Sequence, residues 1–462
     1  MTATSALTEF TWQPQPEAAA FIAELVEQFQ RDCPWLTRLA ARMQTETGTR
    51  LVDWIDHFQL PAGPEIQSRL IAVGYTDRGG QEWRIDSGLF PPVRLDGKFF
   101  VMMLKVDSVR DFLLAHGAVG DLNIQGDPTA SLRWDYCPQR AAGLHVVCAI
   151  ERHGDPSLSL KSGTVDAGKL LHHEERLLLR RRQFDDDLVG FEHTKMLIKW
   201  AAVDLGMPRA CDLFFRAERS YWQSRNRAAQ IQKMRQDALG LGWANHDHHT
   251  YRSSREYFAT LIRILEMMGF HCRERFYAGK EAGWGAQVLE DPMTGVVIFA
   301  DVDLSPEEVA QDFSHTPLFP RDKLGTVGLW CKLHGEAFLE AGMHHLECQF
   351  DFNAAREGLK EVGVDSMKPF TDFTYLRQAF TKGEVWPVAA ERIAALLEQN
   401  LITPQQAETF RTKGAVGSHL EILERNDGYK GFNQTGINEI IRDTDPRRLS
   451  EALGSDLSAP AH

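Results

Sequence analysis

Three short stretches of this 462-residue chain carry side chains able to hold a metal ion. Asn245-His-Asp-His-His-Thr-Tyr-Arg252 packs three imidazoles, a carboxylate and a guanidinium into one segment. His344-His-Leu-Glu-Cys-Gln-Phe350 offers two more imidazoles and a glutamate, and Ser418-His-Leu-Glu-Ile-Leu-Glu424 sets carboxylates into an alternating apolar run. Neutral imidazole and carboxylate are common ligands of divalent transition metals. Along a strand, residues two and four apart face the same way. His246, His248 and Arg252 therefore share a face, as do His345 and Gln349, while His249 faces away from His248 and His344 away from His345. His419 shares the side of Glu421, Glu424 lies opposite, and Glu347 stands beside His345. A buried histidine is more often a hydrogen-bonded structural residue than a ligand, but three such clusters on apolar strands weaken that alternative.

The elements around these clusters repeat. After Arg252, Ser253 and Glu256 give a capping-box signature, and Tyr257, Phe258, Leu261, Ile262, Leu265 and Met268 line one side of a helix that exits at Gly269. Strands follow at 270–278, 284–290 and 295–304, the last two joined by a hairpin-type turn at Asp291-Pro-Met-Thr294, so the order is β-α-β-β-β. The His344 segment likewise enters a helix, capped by Asn353 and ending at Gly363. Residues 366–414 read as an insertion, with a helix at 388–397 and another announced by Thr403-Pro404. A strand through Glu421 and the segment Gly428-Tyr-Lys-Gly-Phe-Asn-Gln-Thr-Gly436 close the module, with a helix expected at 437–441.

This constellation resembles the vicinal oxygen chelate superfamily. Within it, the chain is similar to the iron oxygenases acting on 2-oxo acids: the 4-hydroxyphenylpyruvate dioxygenase family and, more closely, the 2-oxoadipate dioxygenase/decarboxylase family. The resemblance covers residues 245–445. It implies an α+β fold of paired β-α-β-β-β modules forming a curled mixed sheet around a metal. It implies His248, His345 and Glu421 as the ligands, Fe(II) as the metal and O2 as co-substrate. Arg252, four residues after the first ligand, becomes the clamp for a substrate carboxylate, a role suited to its planar fork. Gln287, Gln349, Asn433 and Gln434 are candidate polar liners, and Phe432 a candidate lid. Two imidazoles and one carboxylate on one side of a metal leave positions open for a chelating 2-oxo acid and for O2. The expected activity is oxidative decarboxylation and hydroxylation of a 2-oxo acid, with His246, His344 and His419 as rival ligands. An extradiol ring-cleaving dioxygenase with the same triad, and a non-catalytic binding protein of the same fold, are the alternatives.

The rest of the chain bounds these expectations. Lys+Arg number 51 against 64 Asp+Glu, a net charge of −13 that disfavours nucleic-acid or polybasic membrane binding. Hydrophobic residues make up 43% and charged residues 25%, an ordinary globular balance. No apolar run approaches the ~20 residues of a membrane-spanning helix, and the amino terminus lacks a signal-peptide pattern, so a cytoplasmic protein, as monomer or homo-oligomer, is expected. Seven dispersed cysteines without a C-x-x-C pair read as reduced buried thiols, and Cys331 with His334 is an isolated pair. Residues 1–95 read as a helical region through their spacing of Phe21, Ile22, Leu25, Val26 and Phe29. Residues 96–240 read as an α+β region with a strand, helix, strand, strand order, a degenerate copy of the later module, followed by charged helices. Arg180-Arg-Arg182 and Asp185-Asp-Asp187 there read as a solvated face. Residues 241–449 form the metal-binding region and 450–462 a fraying tail. No Walker loop, G-x-S-x-G or H-E-x-x-H is present.

Overall fold

The strand His246–Arg252 is buried along most of its length. Its neighbours follow from its place at the centre of a nine-stranded sheet. The computed structural model describes residues 12–118, 122–137, 145–161, 163–433 and 445–446. The helix Phe258–Met267 follows that strand, then the antiparallel strands His271–Tyr277, Trp284–Glu290 and Val297–Asp303, and the last of these returns parallel to the first. Gly269, at φ +109°, takes the turn out of the helix where an L side chain would be strained. The expected capping box does not form. Glu336, a buried carboxylate, accepts the Ser253 hydroxyl (2.9 Å) and the Ser254 N–H (3.0 Å), and the helix starts only at Phe258.

The second module repeats this path. His345–Gln349 leads into the helix Phe352–Glu361, capped by Asp351 rather than Asn353, then into Thr371–Phe373, Leu376–Phe380 and the long strand Ala415–Arg425. The long strand lies parallel to His345–Gln349 and antiparallel to Leu376–Phe380. The reading of 366–414 as an insertion is thus corrected: its first part supplies two strands of the module. Those strands are three and five residues long, too short for an alternating pattern to register. The real insertion follows Phe380. It holds the short strand Glu384–Trp386 and the helices Ala390–Glu398 and Pro404–Lys413, the second opened by the Thr403 cap and Pro404. The two opening strands, His246–Arg252 and His345–Gln349, pair antiparallel, so the modules join at the sheet's midline.

The amino-terminal half uses the same connections in a seven-stranded sheet. Ile55–Pro61, the helix Pro64–Ala72 and the strands Thr76–Asp77, Glu82–Arg84 and Val93–Gly97 form one β-α-β-β-β path. Phe100–Lys105, the helix Val109–Ala115, Leu132–Tyr136 and His145–Arg152 form a shortened second path, and the two opening strands again pair antiparallel. Residues 1–95 are therefore not helical throughout. The strand Ile55–Pro61 is buried on both sides, so its apolar residues never alternate cleanly and continue the spacing of the helices before it.

Four helices, Ala167–Leu178, Asp187–Leu205, Met207–Ser224 and Arg227–Asp237, connect the halves and share the largest hydrophobic core with the sheet of the second half. The arginine run is not a solvated face. Arg180 and Arg182 are buried and both donate to Glu218 Oε1 (2.9 and 2.6 Å). The Tyr251 hydroxyl donates to the other oxygen of Glu218 (3.2 Å), tying this network to the central strand. No helix among the described residues is long and apolar enough to cross a membrane.

Candidate metal centre

Strand register brings the three clusters together. Glu347 lies opposite His248 on one side and Glu421 on the other, and in the next row His345 lies between Thr250 and His419. One ligand atom from each of His248, His345 and Glu421 falls within 4.8 Å of the other two, all three side chains being buried. His345 Nε2 stands 3.1 Å from Glu421 Oε2, and His248 Nε2 stands 2.6 Å from Glu347 Oε2. His246 does not share the face of His248. A break in register between Glu347 and Cys348 inserts an extra residue at Asp247, which turns His246 toward His249, with ring centroids 5.1 Å apart.

Outer contacts aim each of the three. Asp247 Oδ2 lies 3.1 Å from His248 Nδ1, leaving Nε2 to face inward, and Asp247 is itself held by Arg425 through two contacts of 3.1 Å. His344 Nδ1 meets His345 Nδ1 at 2.8 Å, and Thr250 Oγ1 meets His345 Nε2 at 2.9 Å. Gln378 donates to Glu421 Oε1 (3.1 Å), Thr371 donates to Gln378 (3.0 Å), and Asn433 donates to Thr371 (3.0 Å). The expectation that His344 points away from His345 fails because His344 lies just before the strand, outside its alternation.

The electrostatics are those of a crowded acidic cavity. Burial pushes Glu421 up to about 7, and burial together with the facing Glu421 pushes Glu347 up to about 8. Burial opposes charge on His248, but Glu347 and Asp247 outweigh it and raise it to about 10. Burial, then His248, holds His345 well below its ordinary value. Carboxyl groups that must hold protons near neutrality beside inward-facing imidazole nitrogens fit a site built for a divalent cation, which would supply the missing positive charge. Two nitrogens and one or two carboxylate oxygens suit a first-row transition metal.

Around this cluster Phe276, Trp284, Phe299, Phe370, Phe380 and Phe432 form an aromatic wall, and Arg252, Asp301 and Thr326 are the polar groups beside it. Phe432 stands edge-on to His248 at 5.3 Å and to Phe299 at 4.4 Å. Arg252 is 5% exposed, its Nε makes no hydrogen bond, and its nearest carboxylate, Asp301, is 3.9 Å away. Asp301 is pushed up to about 7 by burial. Asn433 and Phe432 line this cavity. Gln287 does not: its amide donates to Glu274 O and Val288 O and accepts from Ser314, a closed structural set. Gln349 is likewise displaced, donating to Asp247 Oδ1 (3.2 Å) and lining a different cleft. Gln434 and the helix expected at 437–441 lie outside the described residues. Asp301 went unnoticed in the sequence. Its signal was an aspartate placed on alternation with Phe299 in an otherwise apolar strand.

Each module's opening strand runs parallel to its last, the two openings meet at the midline, and the clustered ligand atoms come from the opening strands and the closing strand. This is the vicinal-oxygen-chelate arrangement. No known protein family and no curated protein matches the sequence. Among solved structures, methylmalonyl-CoA epimerase from Mycobacterium tuberculosis is similar at 13% identity over 39% of this chain and 88% of its own, with a TM-score of 0.23. A mutant of 4-hydroxymandelate synthase from Streptomyces coelicolor is similar at 11% identity over 87% of this chain and 99% of its own, TM-score 0.29. An uncharacterized Shigella flexneri protein that includes domain DUF1338 is similar at 11% over 56% and 71%, TM-score 0.24.

Proposed function

We propose that this chain is an Fe(II)-dependent oxygenase that oxidatively decarboxylates and hydroxylates a 2-oxo acid. The observation that supports the reading best is the convergence of His248, His345 and Glu421 in a buried cavity that also holds Arg252, whose ion-pair partner among the described residues, Asp301, stands as far off as 3.9 Å. His248, His345 and Glu421 would hold the metal. Iron held there would supply Lewis acidity toward a 2-oxo acid and redox chemistry with O2.

The chain's own residues do the rest. Arg252 offers its guanidinium to a substrate carboxylate, and Asp301 sets how much of that charge is free by its distance and protonation. The aromatic wall excludes water and selects an apolar, flat side chain. The cavity is about 80 Å3 in volume, and the Phe432 ring closes one side of it against His248 and Phe299. Glu347, facing Glu421, is raised by burial and by that neighbour, and would give up a proton on binding of a cation.

Anaerobic titration of the Fe(II)-loaded chain with 2-oxo acids tests the proposal. A weak visible charge-transfer band that saturates with an arylpyruvate, and is lost in His345→Ala with the fold intact, is the expected result. A band formed only with catechols would replace the proposal with ring cleavage, and failure to retain iron would refute both.

A further inference from the structure

His246, at the start of the strand His246–Arg252, looks onto a second and larger space, a cleft of about 1140 Å3 between the two sheets. Lys105, at the end of the strand Phe100–Lys105, lines this cleft together with Arg216 and Arg219 from the helix Met207–Ser224, and with His246. Arg219 is 7% exposed and donates Nη1 to His249 Nε2 at 3.2 Å, but no carboxylate among the described residues lies within ion-pairing distance of it. The Lys105 ammonium has no ion-pair contact among the described residues, Asp56 and Asp107 being the carboxylates that attract it from further off, and His246 Nδ1 is buried without a partner.

The acidic groups nearby are committed elsewhere. Asp56 is held in a fork by Arg152, with two contacts of 2.7 Å. Asp212 sits 3.2 Å from His153 and 3.9 Å from Arg216. Asp107 accepts the Trp243 N–H at 2.6 Å. Burial pulls Lys105 and Arg219 below their ordinary values, against the attraction of Asp56 for Lys105 and of Asp107 and Asp212 for Arg219. A buried guanidinium and a partly buried ammonium whose neighbouring carboxylates, Asp56, Asp107 and Asp212, are tied to other partners are costly to maintain unless something negative joins them.

We propose that this cleft is a binding site for a small oxyanion, a phosphate- or carboxylate-bearing molecule held by Lys105 and Arg219, with His246 supplying a hydrogen bond. The guanidinium gives a planar fork and the ammonium a point charge, the pair of donors that such anions take. The site is separate from the metal cavity, since the bulge at Asp247 turns His246 away from His248.

Calorimetric titration of the full chain with inorganic phosphate, and in parallel with malonate, at low ionic strength tests this. Saturable binding of either anion is expected, weakened at least ten-fold in Lys105→Met and in Arg219→Gln and unchanged in Glu421→Gln. Tighter binding of phosphate or of malonate identifies which group the natural ligand carries. Without anion, Lys105→Met is expected to melt above the unsubstituted chain, because it removes a desolvated charge that no carboxylate contacts directly while keeping most of the side chain's bulk. Absence of saturable binding to both anions, affinity lost in Glu421→Gln but kept in Lys105→Met, or a lowered melting temperature for Lys105→Met would overturn the proposal.

Discussion

Replacing Glu421 with Gln separates a metal ligand from a buried structural acid, because the two roles predict opposite responses. Glu421 is 2% exposed, and its carboxyl is raised from 4.5 to about 7. At about 1.4 kcal/mol per pH unit, that rise costs the metal-free fold roughly 3 kcal/mol above neutrality. The amide keeps an oxygen for the Gln378 hydrogen bond and carries no charge, so metal-free Glu421→Gln is expected to be more stable than the unsubstituted chain at pH 8, by up to that amount. The metal-bound state responds the other way. A metal present at about 100 times its Kd stabilises by ~2.7 kcal/mol, and a hundred-fold loss of affinity leaves ~0.4 kcal/mol. For a cooperative unit of about 200 residues these correspond to rises in Tm of roughly 5–10 °C and 1–2 °C. Melting curves at pH 8, with chelator and then with excess Fe(II) under argon, read both quantities. A variant that melts lower without metal and keeps the full metal-induced rise would show that Glu421 is structural and remove the basis of the ligand assignment.

Other outcomes follow from single contacts. Arg252→Gln is expected to retain iron but to weaken 2-oxo acid binding by about 2–4 kcal/mol, roughly 30- to 1000-fold in the anaerobic titration, and Arg252→Lys is expected to restore little of it because a point charge cannot replace the fork. Equal binding by both variants would place the carboxylate elsewhere. Glu336, buried and raised from 4.5 to about 7, contributes stability that is present below pH 4.5 and lost as pH rises through 7. Glu336→Gln should flatten that part of the stability profile, a difference of roughly 3 kcal/mol by denaturant unfolding at pH 8, and parallel profiles would contradict it. Gly48 sits at φ +67° with its missing Cβ directed into the backbone of Ala355, so Gly48→Ala should lower stability by more than ~2 kcal/mol, readable as a shift in denaturant midpoint.

The two modules around the metal were legible where strands were long and alternating. Trp284–Glu290 and its neighbours match their expected spans closely. The set His248, His345 and Glu421 was legible through the family resemblance, with strand alternation in support, and their ligand atoms do cluster. What escaped was set by tertiary context. The bulge at Asp247 reverses the side of His246, and nothing in a period of two announces an extra residue. The closed hydrogen bonds of Gln287 depend on Ser314, distant in sequence, so its exclusion from the cavity could not be read locally. Arg180 and Arg182 resembled surface charge because Glu218, which neutralises them, stands thirty-odd residues away on another helix.

The pairing of His246–Arg252 with His345–Gln349 makes the seam between modules the place where the ligands meet. A cation held there would clasp two separately threaded halves of the sheet, so its capture would report that docking is complete, and its removal would loosen the joint before either half unravels. A chain nicked between Asp303 and Thr326 should accordingly stay in one piece with metal and come apart more readily in chelator.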